Sequence, residues 1–447
     1  MSRQEAVSAW VAEVSSHLPA LSRPQAVVLA LWSLGIALAG CCGQTSVVAV
    51  LADLLEQSEG TVRQRLREWC YAACDKAGSR RGVARRELEV ATCFAPLLGW
   101  VLAWWETPSP HERRVALALD ASTLGDRFTV LALSVLYRGC AIPVAWVVVR
   151  AQEPGAWRPH WLALLARMRG CVPADWLVVA LADRGLYAPW LYQAIVAVGW
   201  HPFLRLNAGP HSAGLYRRAA GGGWRPLSSL LPQVGAQWAG AVVCFARQAV
   251  AGTLVACWEP GHAEGWVVLT DLPPSVAQAA WYGLRGWIEA GFKDTKRGGW
   301  QWQQTRMTDP ERVSRFWLAL AVATLWVVSL GSAAEDQTAD AAPRSHLERL
   351  EAPPATQVAR RQRSGRPTPR RLSCFRRGVL LLRQWIGSTL WGRGHALPHG
   401  RFRPEPWPEP WPEPWPEPWP EPWPLAASGS APIGCGSTGS TRQQTYP

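Results

Sequence analysis

The sequence predicts an α/β protein. A mixed sheet flanked by helices carries a β-rich insertion, follows an all-helical N-terminal domain and precedes a disordered C-terminal tail. Three observations carry that reading. Apolar residues recur at helical spacing up to about residue 105. Beyond the polar, proline-bearing stretch TPSPHERR at 107–114, the pattern changes to short β-prone runs, first three in a row and then alternating with helices. From residue 404 prolines occupy every second position, which forbids helix and central strand. The resulting divisions are 1–106, 107–335 with 208–265 inserted in it, 336–403 and 404–447.

In the first division VVLALWSLGIALAG and VVAVLADLLEQ read as helices, and SEGTVRQRLREWCYAAC as a third, started by a Ser58 cap. The stretch ADLLEQSEGTVRQRLREW reads in two ways. It is a helix-turn-helix, turning near Gly60, with Arg63, Arg65 and Arg67 exposed for a major groove. Equally, it is a plain helical hairpin with a solvated basic face. The uncharged runs 24–52 and 316–334 are long enough to span a membrane. Gly35, Gly40, Gly43 and polar residues break the first into two packed helices, and the second reads as a buried core helix.

The sheet domain opens with VALALD (115–120), FTVLALSVLY (128–137) and AIPVAWVVV (141–149), predicted as an antiparallel meander. The helix WLALLARM, the strand LVVALAD (177–183), the helix YAPWLYQAIVAVG and the strand HPFLRLN continue it with parallel crossovers. Residues 208–265 read as a β-rich subdomain, and WVVLTDL (266–272) returns to the sheet. A long helix over 282–297 and the buried helix from Phe316 complete it. A linker-like stretch then leads to the basic arm ARRQRSGRPTPRR and the amphipathic CFRRGVLLLRQWIGSTLW. Five copies of PEPW at 404–423 predict a polyproline-like, solvent-exposed segment. A binding role for its tryptophans and an accidental tandem repeat both fit that composition.

The 447-residue chain, 48% apolar, can bury a sizeable core. Its net charge of +13 favours a polyanionic partner, although a coding bias towards arginine gives the same number. Eleven scattered cysteines, an odd count in a large chain, argue against a secreted disulfide framework, and Cys70 and Cys74 lack a matching pair for zinc. MSRQEAVSAW shows no signal-peptide pattern, so a cytoplasmic protein is expected.

Chemistry concentrates in YGLRGWIEAGFKDTKR at 282–297. On an α-helix Tyr282, Arg285, Glu289, Lys293 and Lys296 fall within a sector of about 80°. Lys293 and Lys296 are two of only three lysines, the other being Lys76. Asp120 and Asp183 each end an apolar strand. If those strands are parallel neighbours, the carboxylates meet at one sheet edge, where α/β proteins place ligands. Facing carboxylates repel unless a cation joins them. With Glu289 they form three hard oxygen ligands suited to Mg2+ or Mn2+. A pair of such ions about 4 Å apart activates water or a 3′-hydroxyl against a phosphodiester. The cations beside them, with the Tyr282 hydroxyl, would hold nucleic-acid phosphates.

The spacing Tyr282, Arg285, Glu289, Lys296 resembles the Y-R-E-K signature of bacterial insertion-sequence transposases of the DDE class. LVVALADRGLYAPWLYQAIVAVGWHPFLRL and LALDAST resemble the family's second- and first-aspartate regions. The resemblance spans about 110–335. It implies a ribonuclease-H-like mixed sheet with a β insertion before the glutamate, and Mg2+-dependent cleavage at transposon ends followed by joining of the 3′-hydroxyls to target DNA. It makes Asp120, Asp183 and Glu289 the catalytic, metal-holding triad. Tyr282, Arg285 and Lys296 become DNA contacts, with Lys293 beside them. It also supports 1–106 as a DNA-binding domain whose residues 58–70, including Arg63 and Arg67, face the terminal inverted repeats. Double-stranded DNA, a homodimer on paired ends, no membrane and a nucleoid-associated cytoplasmic site are the corresponding expectations. An insertion tryptophan that stacks on a flipped base would be Trp224, Trp238, Trp258 or Trp266. Two features depart from that pattern: Gly283, Gly286 and Gly291, each costing a helix about 1 kcal/mol relative to Ala, and the PEPW tail. A decayed or domesticated DNA-binding protein without catalysis is the alternative reading, and a membrane-associated protein built on the two apolar runs is a third.

Overall fold

The computed structural model describes residues 3–76, 85–107, 113–153, 157–208, 214–341, 372–387, 400–404 and 407–408. The basic arm and most of the tail lie outside them. Five helices open the chain: α1 (Arg3–His17), α2 (Arg23–Ala39), α3 (Gln44–Leu55), α4 (Glu59–Trp69) and α5 (Phe94–Ala103). A capping box between Ser22 and Gln25 starts α2, and Gly40 ends it in the left-handed region at φ 63°. The run 24–52 is thus two helices, bent 104° apart. Ser58 caps α4 by accepting from the Thr61 N–H. Gly60 lies inside α4 rather than in the turn, which Glu56 makes in the left-handed conformation. The helix ends at Trp69, so Cys70 and Cys74 share no helical face.

The sheet begins with β1 (Arg114–Leu124), β2 (Phe128–Tyr137) and β3 (Cys140–Arg150), an antiparallel meander. Then α6 (Arg158–Arg167) leads to β4 (Leu177–Ala182), and α7 (Pro189–Val198) to β5 (His201–Arg205). Strand β4 is parallel to both β1 and β5. The insertion holds β6 (Leu215–Arg218), β7 (Arg225–Pro226), β8 (Gln237–Cys244) and β9 (Val250–Cys257), and β10 (Trp266–Thr270) follows. The order is β3-β2-β1-β4-β5-β10-β9-β8-β6-β7, one ten-stranded sheet. Its first five strands are consistent with a ribonuclease-H-like core. The insertion therefore does not build a sheet of its own. Strand β10 pairs with β5 on one side and β9 on the other, so the inserted strands prolong the central sheet.

Alternation along the strands gives two faces. Val115, Leu117, Leu119, Val178, Ala180 and Ala182 point into the larger core, which includes α6, α7 and α9 (Pro310–Ala341). Helix α9 is long and apolar enough to cross a membrane, yet 94% of that window is buried inside the fold. The N-terminal helices close over it: Trp10 stacks on Trp326 at 4.2 Å, and Trp69 Nε1 donates to the Arg315 carbonyl at 3.3 Å. A last helix, α10 (Cys374–Gly387), packs on α9. The opposite face of the sheet, with Ala116, Ala118, Val179 and Leu181, is covered by residues 277–284 and by α8 (Gly286–Thr295).

The expected long helix over 282–297 is two pieces, a 3₁₀ helix at Ala279–Arg285 and then α8. Gly291 explains one departure noted in the sequence. A Cβ there would lie 2.6 Å from the Ala141 Cβ, so glycine lets α8 rest directly on β3. The tail also departs from expectation: Trp407, in the first PEPW copy, is only 9% exposed.

Candidate active site

Asp120 and Asp183 meet because of register. The parallel ladder between β1 and β4 ends at Leu119 opposite Ala182, so the two aspartates are the next residues on adjacent strands. By alternation both follow Ala118 and Leu181 onto the face beneath α8. Asp183 directly follows the last residue of β4, close to the strand end that the sequence suggests. Asp120 does not end β1, which runs on to Leu124 against β2. Only its parallel partner stops there, leaving one side of the aspartate open. Each carboxylate is fixed by a backbone N–H: Ala121 donates to Asp120 Oδ1 and Gly185 to Asp183 Oδ1, both at 2.8 Å. Their Oδ2 atoms converge on one nitrogen, Arg285 Nη2, at 2.8 and 3.3 Å.

Arg285 is the last residue of the 3₁₀ helix and the N-cap of α8. Its Nη1 bonds Glu289 Oε1, one turn on, at 2.9 Å. Three carboxylates distant in sequence thus surround one guanidinium. Burial is graded across them: the Asp120 side chain is 16% exposed and Glu289 70%. Burial pushes Asp120 up to about 6, against the pull of Arg285 and the Ala121 N–H, and the like charges of Asp183 and Glu289 add to it.

The metal centre expected of Asp120, Asp183 and Glu289 is not preassembled. Among the described residues no group of three His, Cys, Asp or Glu side chains is gathered at metal-holding distance. The reason is electrostatic: the carboxylates need a cation between them, and Arg285 supplies it. The donor set nevertheless fits Mg2+ or Mn2+, with hard oxygens converging on one cationic point and two of the three carboxylates braced by backbone.

The other expected contacts separate. Tyr282 is buried, 4% exposed, so it does not line an exposed stripe with the cations. Arg205 lies 5.9 Å from its ring centre, and burial pushes its hydroxyl up to about 12. Lys293 is exposed on α8. Half-buried Lys296 caps that helix and donates from Nζ to the Thr123 carbonyl at 2.6 Å, tying α8 to the overrun of β1. Arg63 and Arg67 bond side chains of their own neighbourhood, Glu59 at 3.4 Å and the Tyr71 hydroxyl at 3.0 Å. Of the insertion tryptophans, Trp266 meets Tyr282 edge-on at 5.5 Å, while Trp224 is exposed under Arg217. Trp238 packs on Tyr216, and Trp258 Nε1 donates to the His262 carbonyl.

Residues 125–326 match the family model of the transposase DDE domain. The match supports a DDE-type transposase. The matched stretch takes in Asp183, Arg285 and Glu289 and begins just beyond Asp120. No curated protein matches the chain.

Two groupings of side chains escaped the sequence reading. Glu264, from the loop before β10, binds Arg184 at 2.9 Å and Arg205 at 2.7 Å, next to Asp183. The Asp-Arg pair at 183–184 and the strand-end Arg205 were visible signals, but their shared acid was not. Arg23, Arg65, Lys76, Arg85 and Arg86 line a groove of about 1140 Å³ between α2 and α4. Arg65 was singled out on α4 together with Arg63 and Arg67, but its companions Arg23, Lys76, Arg85 and Arg86 were not, because only the packing of α4 on α2 gathers them.

Proposed function

We propose that this protein is a DDE transposase that cleaves DNA at the ends of its own insertion sequence and joins the freed 3′-hydroxyls to target DNA. The convergence of Asp120, Asp183 and Glu289 on a single cation position, from β1, β4 and α8, carries the proposal. Those three residues would hold Mg2+ or Mn2+, which when bound activates a water or 3′-hydroxyl and stabilises the leaving oxygen. The backbone N–H groups at Ala121 and Gly185 hold the aspartates in place before substrate arrives. Arg285 and Lys293 bond phosphate oxygens, and Lys296 does so from the end of α8. Tyr282 acts from beneath, by seating Arg205. The α2–α4 groove, together with Arg63 and Arg67, binds the terminal inverted repeat. Two ends must be paired, so the working form is a dimer on DNA, within the cytoplasmic nucleoid.

The test is cleavage in vitro with Mg2+ and DNA carrying the element's own termini. Nicking at the terminus, abolished by EDTA, is expected. Tight, terminus-specific binding with no cleavage would instead assign the chain to non-catalytic DNA-binding proteins.

A further inference from the structure

The start of the tail is built into the fold. Phe402 is fully buried, donates its N–H to the Trp104 carbonyl at 2.9 Å and accepts from the Glu106 N–H at 2.8 Å. The Tyr137 hydroxyl donates to the Arg403 carbonyl at 2.8 Å. Just beyond this anchor, Trp407 meets Trp281 edge-on with ring centroids 4.9 Å apart, and the Arg114 guanidinium stands 5.0 Å from its ring centre. Trp281 in turn stacks on Phe203 of β5 at 5.9 Å. Trp407 thereby joins the smaller core of the sheet, beside Val179 and Leu284.

Trp407 has proline on both sides, and so do Trp411, Trp415, Trp419 and Trp423. A polyproline segment is ordered before it binds, leaves its backbone solvated and presents side chains to aromatic grooves at little entropic cost. The pocket offers an aromatic edge and a cation, both complementary to an indole ring. We propose that the Trp281–Arg114 pocket is a docking site for a Pro-Trp-Pro ligand, and that the PEPW array supplies five interchangeable copies of it. Exchanging Trp407 for Trp411 lengthens the connection from Phe402 by one repeat, a change to which loop closure is only weakly sensitive. Because Trp281 precedes Tyr282 on the 3₁₀ helix that ends at Arg285, docking also braces the turn that presents this arginine.

The experiment uses the full chain and a fluorescent peptide of three PEPW copies, followed by anisotropy. In a chain with Trp407→Ala, Trp411→Ala, Trp415→Ala, Trp419→Ala and Trp423→Ala together, the peptide is expected to bind saturably. In the wild type it binds at least tenfold more weakly, because the chain's own tail competes. Trp407→Ala alone still excludes it. Adding Arg114→Gln or Trp281→Ala to the five-fold variant weakens binding, and a peptide with alanine for tryptophan does not bind. Absence of saturable binding to the folded five-fold variant overturns the proposal. Thermal melting gives a second readout that survives a poorly folded variant. Trp407→Ala alone should shift the midpoint far less than all five substitutions, and equal shifts overturn interchangeability.

Discussion

Arg285 and Arg65 are the same residue in opposite company. Three carboxylates surround Arg285. Arg65 shares its groove with Arg23, Lys76, Arg85 and Arg86, and no carboxylate bonds it among the described residues. The lesson is that basic residues do different work according to what neutralises them. In the groove, where Glu68 also lies among the lining residues, positive charge predominates and acts on a polyanion at long range. In the candidate active site it organises acids, and a phosphate gains it only by exchange. Arg184 and Arg205, both held by Glu264, belong with the second group.

Substituting Glu289 tests the division most severely. Glu289→Gln should lower Mg2+-dependent cleavage by on the order of 10²–10³-fold or more, the scale of losing a preorganised charged group. DNA affinity in a gel-shift assay should hold. A parallel fall in binding would mean that the two regions are not separate.

Proton competition acts on the candidate active site rather than on the groove. Burial holds Asp120 up at about 6, so below that pH the folded protein keeps a proton that a metal must displace. Calorimetric Mg2+ affinity should fall about tenfold per pH unit below this value and level off above it. The same shift sets the sign for the metal-free fold. Stability from this group falls as pH rises from the ordinary carboxylate range through about 6, because the native state binds the proton more tightly than the unfolded chain.

The groove should answer to salt. Arg65→Ala and Arg86→Ala should each weaken DNA binding several-fold and reduce the slope of log affinity against log salt by about one. Arg63→Ala, already paired with Glu59, should do less. An equal loss for Arg63 would erase the contrast between a cation bonded to an acid and the cations gathered in the groove. The smallest effect is structural. Gly291→Ala should improve helix propensity by about 1 kcal/mol but force α8 off Ala141, for a net loss of roughly 1–2 kcal/mol by denaturant melting.

Much of the sheet was legible because its strands are apolar runs closed by turn residues. The meeting of Asp120 and Asp183 followed from placing two such runs side by side in parallel. The overrun of β1 was not legible: AST after Asp120 reads locally as a turn, and only pairing with β2 keeps it extended. The change from 3₁₀ to α at Arg285 was hidden for a related reason. Tyr282 and Arg285 are three apart and Arg285 and Glu289 four apart, so each pair stacks in its own helix type and a single α-helix accommodates both. Burial of Tyr282 and Trp407 depends on Arg205, Trp281 and Arg114, which no local pattern connects to them. The insertion looked independent because strand pairing across β10 leaves no mark in composition.

The seating of α8 on β3 has a consequence for how this chain tolerates change. Gly291 brings no side chain of its own to the contact, so the height of the helix above the sheet is set by its main chain against Ala141. Repacking of leucines and valines elsewhere leaves that height alone, and with it the reach of Glu289 towards the two aspartates. Such a scaffold can drift widely in sequence while remaining brittle at one position, where a single methyl group would pry the third acid away from its partners.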